Sequence, residues 1–212
     1  EFKYDVKDLK FTMKDDTNLK DLPKYLKKLQ IYNTFNSDYN LLPKTITSLS
    51  INDNKTEMKN LPPFLKHLYV KRYDFRGGCI NNLPTSLKTL HLSCDCQYGK
   101  TIINLDRFTN LKCLRISCPT IDIKRFPDNL KHLDLHDTNS FIKVNYIPLP
   151  RKLKTLKLMS YKLGNINFLP DSLERLELDL PEYNKSIDLP KNLKYFTLNN
   201  RCGNIGSIII NN

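Results

Sequence analysis

Leu22-Pro-Lys-Tyr-Leu26-Lys-Lys-Leu29-Gln-Ile31 is a ten-residue template, L-P-x-x-L-x-x-L-x-L, that returns along almost the whole chain. A degenerate first copy runs from Phe2 to Phe11. Later copies start 18 to 25 residues apart, at Leu42, Leu61, Leu83, Phe108, Phe126, Leu149, Leu169 and Leu189. Because an internal period of this length indicates stacked repeats, the sequence predicts a single domain of about ten repeats over residues 1–212.

The second half of the template alternates apolar and polar residues, which predicts a short strand in every copy. One such strand cannot bury its apolar face alone, so the copies should stack in parallel around a shared core. The proline disfavours a helix, so the back of each turn should be extended or a single 3₁₀ turn. Ile103, Leu105, Ile121 and Ile123 are expected to line this back wall, and Ile205 to Ile210 resembles the back wall of an eleventh turn.

These repeats resemble the leucine-rich-repeat superfamily in its shortest, Leu-Pro forms, over Phe2 to about Leu198. They are similar to the twenty-residue repeats of bacterial effector proteins and to the FNIP-like repeats of amoebae and large DNA viruses. The superfamily usually places Asn three residues after the last strand Leu, and here only Asn54 does so. The resemblance implies a right-handed superhelix with short parallel strands on a concave face and extended or 3₁₀ segments on a convex face. It also implies protein–protein binding, with viral or host-directed proteins as plausible carriers.

The chain has a formal net charge of +12 and a sequence pI near 9.4. A positive field of this size favours an acidic partner, which we expect to be a protein. AT-rich coding also enriches Lys, Asn, Ile and Tyr, so base composition is an alternative source of the excess charge. No stretch approaches the length of a membrane span, and no signal peptide is visible.

Six cysteines permit disulfides without requiring them. Cys94 and Cys118 hold the same place in successive turns, which would bring their Cα atoms within about 4.4–6.8 Å. A secreted protein would oxidise this pair, and a reducing cytosol would leave two thiols. Both states stay open; we slightly favour a cytoplasmic location over secretion, and the oligomeric state is not predicted.

Alternation assigns a set of side chains to the exposed side of the strands, and all four histidines of the chain belong to it. Tyr and Arg, which anchor many protein interfaces, also occur there. The alternative is that polar residues merely occupy an exposed surface. The predicted partner-binding residues are His67, Tyr69, His91, Arg115, His132, Asp134, His136, Lys157, Arg175 and Glu177.

A row of lysines directly follows the fifth template residue, and Thr47 and Glu174 interrupt it. We call it the lysine ladder. It is either a rail for a polyanion or a solvated edge whose lysine stems cover apolar surface. No aromatic residue lies within the ladder and no nucleic-acid-binding motif occurs, so nucleic acid is the less favoured partner. The predicted polyanion-binding residues are Lys66, Lys88, Lys112, Lys131 and Lys154.

Catalytic motifs are missing: the sequence has no Gly-rich phosphate loop, no G-x-S-x-G and no H-E-x-x-H. Cys113 with His132 has the residue types of a nucleophile and its base, and Cys113 with His91, His132 and His136 has those of zinc ligands. Their spacing matches no compact ligand motif. We therefore expect no enzyme, no metal and no cofactor, and we expect a protein-binding module, with a polyanion binder or a structural assembly protein as alternatives.

Overall fold

Each copy of the template forms one short strand at its alternating residues, as the sequence predicts. The computed structural model describes residues 7–12, 19–32, 38–52, 58–72, 82–94, 101–103, 105–117, 121–137, 148–160, 169–181, 183, 186–200 and 207–209. The chain divides into two units, Glu1–Gly99 and Lys100–Asn212, which we call unit 1 and unit 2. The prediction of a single domain over the whole chain stays a prediction.

Five parallel strands pair in chain order in unit 1, and each pairs residue for residue with the next. Leu29 thus lies opposite Leu49, and Leu49 lies opposite Leu68. The described back segments of unit 1 include the 3₁₀ turns η1 Leu19–Asp21 and η2 Tyr39–Leu41. The strands are β1 Asp8–Thr12, β2 Lys28–Tyr32, β3 Ser48–Asn52, β4 His67–Lys71 and β5 Thr89–Ser93.

Unit 2 repeats this arrangement with five parallel strands and adds three shorter ones. In chain order its strands are β6 Thr101–Ile103, β7 Cys113–Ser117, β8 Ile121–Ile123, β9 His132–Asp137, β10 Thr155–Ser160, β11 Arg175–Asp179, β12 Tyr195–Asn199 and β13 Ser207–Ile209. The series β7, β9, β10, β11 and β12 pairs in parallel. The pair β6 and β8 forms a separate parallel sheet in the back segments, which are therefore extended there.

The last strand differs from the prediction. The stretch Ile205 to Ile210 was expected to form a back wall, but Ser207–Ile209 pairs antiparallel with β12, with Ile208 opposite Phe196. The edge of β12 offers unpaired N–H and C=O groups that need partners. An antiparallel return satisfies them after a short connection, whereas a further parallel strand would need a complete coil.

The leucines of the template fill the core of each unit. Leu26, Leu68 and Ile116 are fully buried, and the strands show buried residues alternating with partly exposed ones. Each Pro-x-x-Leu segment closes as a turn, in which the leucine N–H donates to the proline carbonyl, for example Leu26 to Pro23 at 3.1 Å. The proline therefore positions the chain at the start of the strand.

One copy is shifted from its predicted start. The N–H of Leu111 donates to the carbonyl of Phe108 at 2.9 Å, so Phe108 stands where the other copies have proline. The sixth copy therefore begins one residue before Phe108. Phe108 is itself fully buried, and Leu105, Ile123 and Phe126 are also buried in unit 2.

Side chains at the fourth template position bind the backbone of the preceding copy. The Thr45 hydroxyl lies 2.7 Å from the carbonyl oxygen of Lys24 and 2.9 Å from that of Leu26. Ser86 does the same with Pro63 and Leu65, at 2.9 and 2.7 Å. These hydrogen bonds link successive copies. They do so at a different template position from the asparagine that follows the strand in the leucine-rich-repeat superfamily, which only Asn54 matches in this sequence. In unit 2 this contact is made by Asn129, Ser172 and Asn192.

The protein is thus a parallel β-solenoid of stacked coils with almost no helix among the described residues. This architecture is consistent with repeat superfamilies of the leucine-rich-repeat kind. In the part of the chain that the structure describes, no helix is long and apolar enough to cross a membrane.

Candidate functional site

The exposed side of the parallel strands carries every residue predicted to bind a partner. All ten are half-buried or exposed, because their neighbours in the strand point into the core. We call this surface the strand face of each unit. The strand face of unit 1 contains His67, Tyr69 and His91; that of unit 2 contains Arg115, His132, Asp134, His136, Lys157, Arg175 and Glu177.

Aromatic and imidazole rings meet on the strand face of unit 1. Tyr69 of β4 lies opposite His91 of β5, and their rings pack edge to face with centroids 4.8 Å apart. His67 Nδ1 lies 3.1 Å from the hydroxyl oxygen of Thr89 on the next strand. Partial burial lowers the pKa of His67, and the charges of Lys88 and Lys66 lower it further. The uncharged form is thereby favoured, so this patch offers rings and neutral hydrogen-bonding groups.

Opposite charges meet across β7 and β9 on the strand face of unit 2. Arg115 Nε lies 2.6 Å from Asp134 Oδ2, and His136 Nε2 lies 3.0 Å from Asp134 Oδ1. Partial burial alone would raise the pKa of Asp134. Contact with the His136 imidazole and the charges of Arg115 and Lys157 outweigh this effect and lower the pKa. Asp134 therefore stays ionised and orients two side chains of the surface.

A second charged group spans β10, β11 and β12. Lys157 Nζ lies 3.3 Å from Glu177 Oε2, and Arg175 Nε lies 2.7 Å from Glu177 Oε1. The hydrogen bond from Arg175 lowers the pKa of Glu177; burial opposes this, and Lys157 lowers it further. The guanidinium carbon of Arg175 stacks 3.9 Å from the ring centroid of Tyr195. Glu177 and Tyr195 thus fix the orientation of Arg175.

His132, another of the predicted partner-binding residues, contacts a threonine rather than these charged groups. It is the first residue of β9 and lies opposite Cys113 of β7, and its Nδ1 is 3.1 Å from the Thr155 hydroxyl oxygen. His136 lies four residues further along β9, opposite Ser117 of β7. The two histidines therefore serve different neighbours.

Tyr195 and the two threonines that bind histidines were not among the predicted site residues. Thr89 and Thr155 begin the strands that follow those of His67 and His132. Histidine at the first residue of one strand and threonine at the first residue of the next therefore indicated these contacts in the sequence. Tyr195 is the first residue of β12 and lies opposite Arg175, the first residue of β11. An Arg-then-Tyr succession predicts stacking between adjacent strands.

The chemistry of Cys113 is unfavourable for a nucleophile. Burial raises the pKa of its thiol, and the charge of Asp134 raises it further, while Arg115 lowers it. Nucleophilic cysteines need the opposite shift, because the thiolate is the reactive form. Among the described residues, no three His, Cys, Asp or Glu side chains gather in a way that could hold a metal ion. Cys94 is buried, and Cys118 lies outside the described residues, so their pairing is not described.

The backbone at the positions of the lysine ladder, including Thr47 and Glu174, is hydrogen-bonded from one copy to the next within each unit. The Lys66 carbonyl accepts the N–H groups of Lys88 and Thr89, at 2.8 and 3.0 Å. The carbonyls of Lys7, Lys27, Lys112, Lys131 and Lys154 each accept two N–H groups of the following copy in the same way. All five lysines predicted to bind a polyanion are exposed. Lys154, however, contacts Glu174 at 2.5 Å, so its charge is partly balanced. Hydrogen bonds from Lys154 and Lys194 lower the pKa of Glu174.

Comparison with known protein families found no family that matches the chain. Comparison with characterised proteins also found no match.

Proposed function

We propose that this chain is a short Leu-Pro leucine-rich-repeat protein, of the FNIP-like kind, that binds another protein through its strand faces. The observation that carries the proposal is the network of alternating charges on the strand face of unit 2. It consists of two ion-paired groups on neighbouring strands: Arg115 with Asp134, and Glu177 with both Lys157 and Arg175. Lys157 lies opposite Asp134 in the strand register, so the two groups are adjacent. A viral or microbial factor that engages a host protein is the setting that the resemblance suggests.

The mixture of signs supports a protein partner. Three cationic and two anionic side chains stand together in this network. A surface for a polyanion would gain from a single sign, because every carboxylate repels the ligand. Alternating charges instead match a partner that carries both signs, and they discriminate between partners more than they add affinity. Arg175 stacked on Tyr195 has the residue types and the fixed geometry of an interface anchor.

The experiment uses two variants with the same change of net charge in the same unit. The face variant carries R115Q, K157Q and R175Q; the ladder variant carries K112Q, K131Q and K154Q. Each immobilised protein is exposed to lysate of candidate host cells at about 0.15 M salt, and retained proteins are quantified by mass spectrometry. We expect at least one protein that wild type and the ladder variant retain and that the face variant loses. Circular dichroism checks that both variants fold.

Loss of the same proteins from both variants would contradict the proposal, because general charge would then explain binding. Retention by the face variant would contradict it as well. A partner identified in this way should bind purified wild-type protein with a defined stoichiometry, and the dissociation constant should rise at least about tenfold in the face variant.

The second candidate is polyanion binding through the lysine ladder, favoured by the exposure of Lys66, Lys88, Lys112 and Lys131. It predicts that binding to heparin or single-stranded DNA falls steeply with salt, with a slope that decreases by about one for each lysine removed. The same ladder variant tests this function. If it binds heparin as wild type does, while the face variant loses heparin, the ladder is not the polyanion site.

A further inference from the structure

Two aromatic rings project from the turns of unit 1. Tyr25 and Phe64 hold the fourth template position, and each is 68% exposed, far more than a large apolar side chain usually is. The corresponding residues of the third and fifth copies are Thr45 and Ser86, so ring and hydroxyl alternate from copy to copy. We call residues 23–27, 43–47, 62–66 and 84–88 the turn edge of unit 1.

The backbone that carries each ring is held by the next copy. The Thr45 hydroxyl binds the carbonyls on either side of Tyr25, and the Ser86 hydroxyl binds those on either side of Phe64. These hydroxyls fix the turns but leave the rings outside. The two ring-bearing turns are two strands apart, which separates them by about 10 Å. The rings are therefore exposed on turns whose backbone is held by hydrogen bonds from the next copy.

The turns that carry the rings, and the turns between and beside them, are rich in lysine. The turn edge of unit 1 contains five lysines, all exposed, and no Asp or Glu. The corresponding turns of unit 2 carry no exposed ring of this kind and include Asp128, Asp171 and Glu174. Exposed rings among lysines, in turns that contain no acidic residue, are thus a feature of the turn edge of unit 1. The lysines are Lys24, Lys27, Lys44, Lys66 and Lys88.

We propose that the turn edge of unit 1 docks on an anionic lipid bilayer, with Tyr25 and Phe64 entering the interfacial layer and the lysines meeting lipid phosphates. Aromatic side chains and lysines are the residues that favour the headgroup level of a membrane. Two weak attractions, apolar insertion and charge, together give stable binding to such a surface. This binding is independent of the strand faces.

The spacing of the rings favours a lipid surface over other partners. Aromatic anchors of a protein interface usually cluster together at its centre, whereas the turn that carries polar Thr45 separates Tyr25 from Phe64. Stacked nucleic-acid bases need an aromatic platform along a groove, whereas these two exposed rings stand on separate turns about 10 Å apart. A fluid bilayer needs no matching pocket and accepts separate protruding rings.

The first experiment measures binding to large vesicles of phosphatidylcholine with about 30% phosphatidylserine, and to phosphatidylcholine alone. Wild type should bind only the anionic vesicles. The variant Y25S/F64S should bind at least about tenfold more weakly. Serine already stands at this template position in Ser86 and Ser172, so the substitution suits the turn. An unchanged affinity of Y25S/F64S would overturn the proposal.

Charge is tested with two pairs matched in template position and in net charge. K24Q/K44Q removes two lysines from the turn edge of unit 1, and R151Q/K191Q removes two cations from the same position in unit 2. The first pair should weaken vesicle binding roughly tenfold or more, and the second less than about threefold. Equal losses would mean that the whole positive field, and not this edge, attracts the bilayer.

A fluorescent reporter locates the contact directly, because the chain contains no tryptophan. The variant F64W should shift its emission to the blue with anionic vesicles, and lipids brominated on their acyl chains should quench it. Emission that stays unshifted on bound vesicles would overturn the proposal. Emission quenched by oligo-thymidine and untouched by vesicles would overturn it too, and would assign the edge to single-stranded nucleic acid.

Discussion

His67 lies between two charges of the lysine ladder and is partly buried, and both conditions disfavour its protonated form. We expect its titration midpoint, followed by NMR from the imidazole proton signals, to lie below the ordinary value of 6.5. The double variant K66Q/K88Q should raise the midpoint, because it removes the repulsion and leaves the burial. A midpoint of 6.5 or higher in wild type would contradict this account of His67.

The stabilising effect of this shift has a definite sign. Because the folded-state pKa of His67 is lowered, the unfolded chain takes up its proton first as the pH falls. The contribution of the neutral His67 to the free energy of unfolding is therefore fully present above about pH 6.5, where the histidine of the unfolded chain is also neutral. It is lost as the pH falls below that value. His67 thus makes the folded state less stable under mild acid.

Thr45 provides a second prediction at this scale. The variant T45V keeps the shape of the side chain but removes the hydroxyl that binds the Lys24 and Leu26 carbonyls. We expect the free energy of unfolding, measured in urea, to fall by about 1 kcal/mol. The matched control is T85V, since Thr85 is an exposed residue of a neighbouring turn. Equal effects of the two variants would show that the hydroxyl contact contributes nothing.

Residue-level contacts were only partly predictable from the sequence. Alternation correctly assigned Arg115 and Asp134 to the exposed side of neighbouring strands, because a period of two leaves no other choice. Which atoms meet depends on side-chain rotamers, so the contacts of Asp134 with both Arg115 and His136 could not be read from the pattern. The role of the fourth template position was available from its Ser, Thr and Asn residues, and it was missed.

At the scale of elements, Asp134 links the side chains of β9 to those of β7 through its ion pair with Arg115. The pKa of this group is lowered on balance, so its stabilising contribution is fully present above the unfolded value of about 3.8. It is lost as the pH falls through the lower, folded value. We expect D134N to reduce the free energy of unfolding by about 1–2 kcal/mol at neutral pH.

Urea denaturation at several pH values tests this expectation. The difference between wild type and D134N should shrink as the pH falls from about 3.8 through the lower pKa of the folded Asp134, because the wild-type side chain then becomes uncharged, as Asn is. The variant D128N is the control: Asp128 forms an ion pair with Arg125, but its side chain is 81% exposed. Such a pair should have little effect. A constant difference at every pH would refute the role of the Asp134 charge.

Strand identity was predictable where the template is regular and failed where the template ends. The five strands of unit 1 lie at the alternating residues of their copies. Ser207–Ile209 lies in an isoleucine-rich stretch whose composition suits a back wall and a strand equally. Its antiparallel pairing depends on the free edge of β12, which local composition does not encode. The start of the sixth copy was misplaced by one residue for a related reason. Phe108 occupies the position of the template proline, so this copy has no Leu-Pro pair that marks its start.

At the scale of the whole molecule, stability should be distributed locally, since each coil pairs only with its neighbours. Leu68 in β4 is fully buried, and L68A should lower the stability of its surroundings by about 2–5 kcal/mol. Hydrogen exchange should then accelerate first in β3, β4 and β5. The matched variant L176A should act on β10, β11 and β12 in the same way.

Exchange followed by mass spectrometry of peptides distinguishes local from global loss of structure. Uniform acceleration along the chain in L68A would show that the molecule unfolds as one cooperative body, contrary to this expectation. The sequence supports the local alternative because the same short template supplies every coil. The division into two units had no signal in the template, which continues across the boundary at Gly99.

The hydroxyls of Thr45 and Ser86 bind carbonyl oxygens, a group that every amino acid possesses. The neighbouring coil is therefore held through its main chain, whatever side chain it displays at that point. Surface positions such as Tyr25 and Phe64 can consequently be exchanged without redesigning the joint between coils. A scaffold with this property lends itself to diversification: libraries randomised at these turns should yield folded proteins with altered recognition.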